Sequence, residues 1–144
     1  METDQKKKKI TDFIKTQLLG VLSTVNPDGN PESALVAVAE TKNLEIIFAS
    51  LANTRKYRNL QTNKNVSFVI GFDPKAAISV QYEGVIRELD GSELEEAKNV
   101  HVAKDASWSK YAKIPENKYF KVKPVWIRYT DTNKATEEVF EISF

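Results

Sequence analysis

The segment from Ser50 to Lys56, which reads Ser-Leu-Ala-Asn-Thr-Arg-Lys, carries the side chains best suited to binding an anion. Asn53 or Thr54 is a good helix N-cap, which predicts that Arg55 and Lys56 lie in the first turn of a helix. Cations at this end oppose the helix dipole at a cost of about 0.3–1 kcal/mol each. A bound anion would instead meet free backbone N–H groups, a hydroxyl and two positive charges. The segment therefore predicts a site for a phosphate-bearing ligand.

The simpler interpretation of the same residues is a pair of surface cations that tolerate a small, screened penalty. Motifs this short also arise by chance, so the pattern taken alone favours this simpler interpretation. The position of the segment favours the ligand site, because it directly follows a predicted buried strand and the mouth of a β-barrel is a common place for a ligand.

The residue inventory excludes several kinds of chemistry. The chain has no cysteine, which excludes disulfides, thiolate nucleophiles and cysteine-based zinc or iron–sulfur sites. His101 is the only histidine, so a multi-histidine metal site is excluded and we expect no bound metal. Glu83 and Glu88 are spaced for opposite strand faces, which gives no support to glycosidase-type acid–base chemistry.

Length and charge point to an ordinary globular protein. The 144 residues predict one domain over positions 1–144, and 21 basic against 20 acidic side chains argue against a nucleic-acid or membrane-surface binder. No apolar run approaches the roughly 20 residues of a membrane span. The basic run Lys6–Lys9 is interpreted as a solvated helix face. It has no long apolar stretch behind it, so we expect no signal peptide and a cytoplasmic location.

Changes in hydrophobic period predict three helices and seven strands, at positions 3–18, 54–62 and 92–104 for the helices and 20–25, 33–39, 44–50, 66–70, 77–89, 119–130 and 139–144 for the strands. The strand at 33–39 is small and apolar on both faces, which predicts a central strand covered on both sides. Gly84 interrupts the longest strand and predicts a bulge or bend that lets the sheet curl. Hairpin connections favour a mainly β fold, a small antiparallel barrel with a few short helices, although a sandwich also fits the pattern.

Several segments, taken in order, resemble the FMN-binding split barrel superfamily, the group similar to pyridoxamine 5′-phosphate oxidase. The matching segments are LSTVNPDGNP at 22–31, IIFAS at 46–50, TRK at 54–56, Leu60 with Asn63, and VQYEGV at 80–85. The match is good over residues 18–90 and loose elsewhere, where VKPVWIRY at 122–129 resembles the last barrel strand of small relatives. The resemblance implies a split antiparallel β-barrel and a homodimer with FMN at the subunit interface.

The resemblance also implies which residues bind FMN. Its phosphate would be bound by Thr54, Arg55 and Lys56. The flavin would lie along the strand that follows the Pro-Asp-Gly turn and along the end of the next strand, that is, against Ser33, Ala34, Leu35, Val36, Ala49 and Ser50. Where the oxidases carry a glutamine that contacts the flavin, this chain has Ser79. From the residues themselves, Trp126 is a further candidate, because it shares a strand face with Arg128 and could line the pocket.

Two departures from the oxidases bear on function. The true oxidases carry a basic residue where Glu32 or Ser33 stands, and they have a C-terminal Arg-X-His segment that this chain lacks. We therefore do not expect vitamin B6 oxidation. We expect an FMN-dependent oxidoreductase acting on a small molecule that the sequence does not name, in which the flavin passes hydride and the protein orients the reactants. No catalytic side chain is assigned.

Two other functions remain open. The first is a flavin or haem carrier without turnover, a stress-related binding protein, with His101 as the candidate haem ligand. The second is an empty barrel that serves only as a protein-interaction domain. For His101 itself, packing inside the protein is the favoured interpretation.

Overall fold

The computed structural model describes all residues, 1–144, as four α-helices, one 3₁₀ turn and eight strands. The helices are α1 (Thr3–Lys15), α2 (Arg55–Thr62), α3 (Gly91–Lys104) and α4 (Ser109–Ala112), with the 3₁₀ turn at Ala106–Trp108. The strands are β1 (Leu19–Val25), β2 (Pro31–Ala37), β3 (Ala39–Glu40), β4 (Ile46–Leu51), β5 (Asn65–Ile70), β6 (Ile78–Glu88), β7 (Asn117–Asp131) and β8 (Glu138–Ser143). All three predicted helices and all seven predicted strands are present. β3 was not predicted, because two residues carry no readable period.

The strands form one antiparallel sheet in the order β2-β1-β5-β6-β7-β4-β3, with β8 attached to β7. β7 pairs with β6 along its length, whereas on its other side it pairs first with β4 and then with β8. The change of partner falls at Pro124, between Val122, the last residue paired with β4, and Trp126, the first paired with β8. Proline has no N–H to donate, so it is tolerated where the ladder is interrupted. The predicted mainly β, antiparallel barrel architecture is confirmed.

The predicted bend at Gly84 is also confirmed. The register between β6 and β7 shifts between Glu83 and Gly84. A Cβ atom added at Gly84 would lie 2.6 Å from the carbonyl oxygen of Lys123 and 2.6 Å from Cγ1 of Val122. Because a backbone oxygen cannot move away cheaply, only glycine fits at this bulge.

A cluster of 21 buried residues fills the inside of the curled sheet. Aromatic rings dominate it: the Phe48 ring lies 5.8 Å from that of Phe68 and 5.2 Å from that of Phe120, centroid to centroid. Helix α1 packs against this interior with Ile10 and Ile14, which are both fully buried. No helix is both long enough and apolar enough to cross a membrane.

The prediction that the strand at 33–39 is covered on both faces is wrong for the single chain. β2 lies at one end of the strand order, and the side chain of Leu35 is 60% exposed. The strand covered on both faces is β4, in which Phe48 faces the barrel interior while Ile47 packs with Leu89 and Tyr119 in a second cluster that includes Ala97 of α3. The small side chains of β2 do not reflect close packing on both sides, because two of them border a cavity described below.

A buried ion pair fastens α3 to the rest of the molecule. The Nζ atom of Lys104 donates to Oε1 of Glu40 at 2.7 Å and to the carbonyl oxygen of Ile14 at 3.0 Å. Both charged side chains are about nine-tenths buried. The pair joins the end of α3 to α1 and β3, and removing either partner would leave an uncompensated buried charge.

We predict that Gly84→Ala lowers the free energy of unfolding by about 1–3 kcal/mol, since the methyl group overpacks the bulge. Gly20→Ala is the matched control, because the three atoms nearest its added Cβ are side-chain carbons of Ile70 and Val38, at 3.2 Å, and of Phe68, at 3.6 Å, and none is a backbone atom. Urea denaturation of both variants measures the difference. Equal stability of the two variants would contradict the assignment of Gly84 as the obligatory bend.

Candidate functional site

The start of helix α2 is built from a hydroxyl cap. Thr54 has an extended backbone, and its Oγ1 accepts a hydrogen bond from the backbone N–H of Tyr57 at 3.3 Å. The Thr54 hydroxyl donates to the carbonyl oxygen of Leu51 at 2.9 Å. Oγ of Ser50 lies 2.8 Å from Oγ1 of Thr54. The predicted N-cap at Thr54 is confirmed, and Arg55 and Lys56 occupy the first helical turn.

A cavity of about 240 Å³ lies at this helix start. Its lining comes from β1, β2 and α2 and consists of Thr24, Glu32, Ser33, Ala34, Thr54, Arg55 and Lys56. Six of these seven side chains are polar or charged, which suits a polar group of a ligand rather than an apolar one. We call Thr54, Arg55 and Lys56, with the free N–H groups of the first turn of α2, the anion cradle.

Lys56 is the cation of the cradle that lacks a counter-charge. Its side chain is half-buried, and burial alone lowers its pKa below the ordinary value of 10.5. No carboxylate offsets this loss of hydration. An anion bound beside Lys56 would compensate for the lost hydration of its ammonium group. The unpaired N–H groups at the helix start would favour the same anion.

Arg55 is already paired. Its Nε donates to Oε1 of Glu32 at 3.1 Å, and its Nη2 lies 2.7 Å from Oε2 of the same carboxylate. The side-chain amides of Asn59 and Asn26 also donate to Glu32, at 2.8 and 3.2 Å. Arg55 first, and then Asn59, lower the pKa of Glu32 to about 2, so this carboxylate is ionised at any physiological pH. The lining of the cavity therefore carries two positive charges and one negative charge.

A second cavity, of about 350 Å³, adjoins the first, and the two share Thr54 and Lys56. It lies between β4 and the segment that follows α3. Its lining is more apolar and consists of Ala37, Ala49, Ser50, Leu51, Thr54, Lys56, His101, Trp108, Tyr111 and Asn117. The two adjoining spaces therefore differ in character, the first polar and charged and the second more apolar.

His101 lines the second cavity and is enclosed by its neighbours. It is 3% exposed, its Nε2 lies 3.2 Å from the carbonyl oxygen of Ala37, and its ring lies 4.4 Å from that of Trp108. Its Nδ1 is buried without a partner. Burial lowers the pKa of His101, so the ring is neutral at physiological pH.

The structure brings most of the predicted site residues together. Ser33, Ala34, Thr54, Arg55 and Lys56 line the first cavity, while Ala49 and Ser50 line the second.

The remaining four predicted site residues lie elsewhere in the single chain. Val36 is buried in the barrel interior, and Leu35 projects from the outer face of β2. Ser79 lines a separate surface pocket that includes Gly71 and Thr130. Nε1 of Trp126 lies 3.4 Å from Oε2 of Glu141, away from both cavities.

Asn59 and Thr24 belong to the site but were not predicted. The amide of Asn59 donates both to Oγ1 of Thr24, at 3.0 Å, and to Glu32. Asn59 is 3% exposed and stands next to Leu60 on the buried side of α2. A polar residue at a buried helix position was the available signal, because such a group needs a hydrogen-bonding partner. No group of three or more His, Asp or Glu side chains is arranged to hold a metal ion.

The comparisons with known proteins agree with this architecture. The family model described as pyridoxamine 5′-phosphate oxidase matches residues 7–131. The chain therefore belongs to the pyridoxamine 5′-phosphate oxidase family. No curated protein matches the sequence.

Three solved structures illustrate the range of proteins that share the fold. General stress protein 26 from Bacillus anthracis is 26% identical, with a TM-score of 0.74 over 96% of this chain and 99% of its own. The haem-binding protein from Mycobacterium smegmatis is 17% identical, with a TM-score of 0.81 over 99% of this chain, which spans only 59% of the length of that protein. HutZ, the haem storage protein from Vibrio cholerae, is 15% identical, with a TM-score of 0.72 over 92% of each chain.

We predict that Thr54→Val destabilises the protein by about 1 kcal/mol, because valine keeps the shape of the cap but cannot accept the N–H of Tyr57. Thr62→Val is the control: at the other end of α2, the Thr62 hydroxyl only donates to the carbonyl oxygen of Asn59, at 3.2 Å. Thermal or urea denaturation compares the two. A larger loss for Thr62→Val would show that the cap does not anchor the start of this helix.

Proposed function

We propose that the chain binds FMN, with the phosphate in the anion cradle and the ring system in the adjoining space along β2 and β4. The observation that carries the proposal is Lys56, a half-buried cation with no counter-charge beside free N–H groups at a helix start. A phosphate is the group that satisfies both at once.

The shapes of the adjoining spaces support the same ligand. The walls of the two cavities include small side chains, Ala34 in the first and Ala49 and Ser50 in the second. Small side chains allow a flat ring system to approach the strands closely. Trp108 and Tyr111 add aromatic surface at the far side of the second cavity, where stacking on a ring is favourable.

The proposal includes a homodimer. On the outer face of the sheet, Val21 lies opposite Leu35 on one side and Val69 on the other. Leu35 and Val69 are 60% and 43% exposed, so adjacent apolar side chains meet solvent in the single chain. Contiguous exposed apolar surface marks an interaction site. A second copy on this face would cover it and could bring Leu35, Ser79 and Trp126 of one subunit towards the flavin of the other.

The proposed activity is that of a flavin-dependent oxidoreductase on a small molecule. Bound FMN supplies hydride-transfer chemistry, which needs no protein nucleophile. In this division of labour, the cradle binds the phosphate and the small residues of β2 and β4 position the ring, while Leu51 and Trp108 supply apolar wall to the second cavity. His101 is enclosed and its Nε2 contacts the carbonyl oxygen of Ala37, so we assign it no proton-transfer role.

The second candidate function is a carrier of flavin or haem without turnover. Two of the structural neighbours are described as haem-binding or haem storage proteins, which is the reason to retain this alternative. The enclosed position of His101 counts against axial ligation by that side chain. Anaerobic mixing of the FMN-loaded protein with NADH and with NADPH separates the candidates: reduction at a useful rate supports the oxidoreductase, and its absence supports the carrier.

We predict that Lys56→Gln weakens FMN binding by about 1.5–3 kcal/mol, the range for hydrogen bonds to charged groups, or roughly 10- to 100-fold in Kd. Riboflavin, which lacks the phosphate, should bind both proteins equally. Arg58→Gln is the control, because Arg58 lies on the same helix, is exposed and lines neither cavity. Flavin fluorescence titration gives the Kd values. An equal loss for riboflavin would place the phosphate somewhere else.

The affinity for FMN should also depend on pH in a defined direction. Affinity should rise as the phosphate loses its second proton, with a pKa of about 6. It should then fall at high pH as Lys56 deprotonates, beginning below 10.5 because burial lowers its pKa in the free protein. The loss of affinity at high pH follows because the bound anion raises the pKa of Lys56. Where Lys56 is deprotonated in the free protein, binding requires the uptake of a proton, and this becomes less favourable as the pH rises. Titrations of FMN and riboflavin across this range measure the effect, and a high-pH loss that survives Lys56→Gln would contradict it.

A further inference from the structure

We propose that Glu32 sets the charge selectivity of the anion cradle by competing with a bound phosphate for Arg55. The inference rests on the proposed function in one respect, that the cradle is where an anionic group binds. It goes further in assigning to this carboxylate a role in choosing the anion: Glu32 lowers the affinity for dianionic phosphate more than for singly charged anions.

The geometry places Glu32 in direct competition with a ligand. Its carboxylate accepts from two nitrogen atoms of the Arg55 guanidinium, at 3.1 and 2.7 Å, and lines the same cavity as Lys56. Part of the donor set that would bind a phosphate in two-point fashion is therefore already used. Only Lys56 offers a positive charge that no carboxylate compensates.

Glu32 is held in this position independently of Arg55. Amide donors from Asn59, at 2.8 Å, and Asn26, at 3.2 Å, fix the carboxylate from two other directions. Its side chain is 19% exposed, so water screens the negative charge only in part. The carboxylate therefore remains at the cavity wall as a fixed negative charge, and the repulsion that it exerts scales with the charge of the ligand.

The substitution Glu32→Gln can test the effect of the negative charge while the size of the side chain is kept. In Glu32→Gln, the amide oxygen can still accept from Arg55 or Asn59, so the link between β2 and α2 is retained while the negative charge is removed. Three charged groups line the cavity: Glu32 from β2, and Arg55 and Lys56 from α2. Arg55 stays protonated at both pH values, because Glu32 raises its pKa, and comparison of the two proteins at each pH isolates the effect of the phosphate charge.

The test is calorimetric titration of inorganic phosphate into the wild-type protein and Glu32→Gln, at about pH 8 and about pH 5, on either side of a phosphate pKa near 6–7. We expect Glu32→Gln to bind the dianion about tenfold more tightly than the wild type and the monoanion about threefold more tightly. Glu93→Gln is the matched control. It removes the same charge from another carboxylate–arginine pair, in which Oε2 of Glu93 lies 2.7 Å from Nη2 of Arg87, outside both cavities.

Equal or weaker phosphate binding by Glu32→Gln would overturn the proposal, and so would an equal gain in Glu93→Gln or the absence of phosphate binding in both proteins. A gain of the same size at both pH values would overturn the charge-selective part. A parallel titration with FMN decides the proposed function separately. If the wild type binds no FMN while phosphate binding responds to residue 32 as expected, the cradle and the role of Glu32 stand and the flavin assignment fails.

Discussion

Strands β6 and β7 approach each other so closely at Gly84 that an added methyl group would lie 2.6 Å from the carbonyl oxygen of Lys123. The register shift at this point bends the sheet. It faces Pro124, where β7 changes its second partner from β4 to β8. Because the sheet curls here, β4 turns back towards β2 at the far end of the strand order, and the start of α2 is carried to the edge of β2.

At the candidate site, side-chain hydrogen bonds rather than a backbone ladder connect β1 and β2 to α2, the helix that follows β4. Glu32 on β2 pairs with Arg55, and Thr24 on β1 accepts from Asn59. These contacts hold α2 across the opening while leaving space beside Ser33 and Ala34. The electrostatic consequence is unequal for the two cations of the cradle. Arg55 is compensated by Glu32, whereas Lys56 is partly dehydrated without compensation, and this difference makes Lys56 the group that gains most from a bound anion.

Local sequence signals predicted the features that depend on neighbouring residues. The cap at Thr54 follows from a hydroxyl before a helical period, and the bend at Gly84 follows from a glycine inside a long strand. The covering of β2 could not be predicted in this way, because small side chains such as Ser33 and Ala34 fit a packed interface and the wall of a cavity equally well. The pairing of Glu32 with Arg55 joins residues 23 positions apart, and that of Lys104 with Glu40 joins residues 64 apart. Both depend on how the sheet closes, which no local pattern encodes.

The measurement that tests the central claim most directly is the absorption spectrum of the purified protein after incubation with FMN, and separately with haem, followed by desalting. The account predicts that the visible flavin bands remain with the protein in proportion to the number of subunits, because the phosphate is held by the anion cradle. Passage of all the flavin through the column, with or without a Soret band retained from haem, would contradict the assignment of the cradle as an FMN phosphate site.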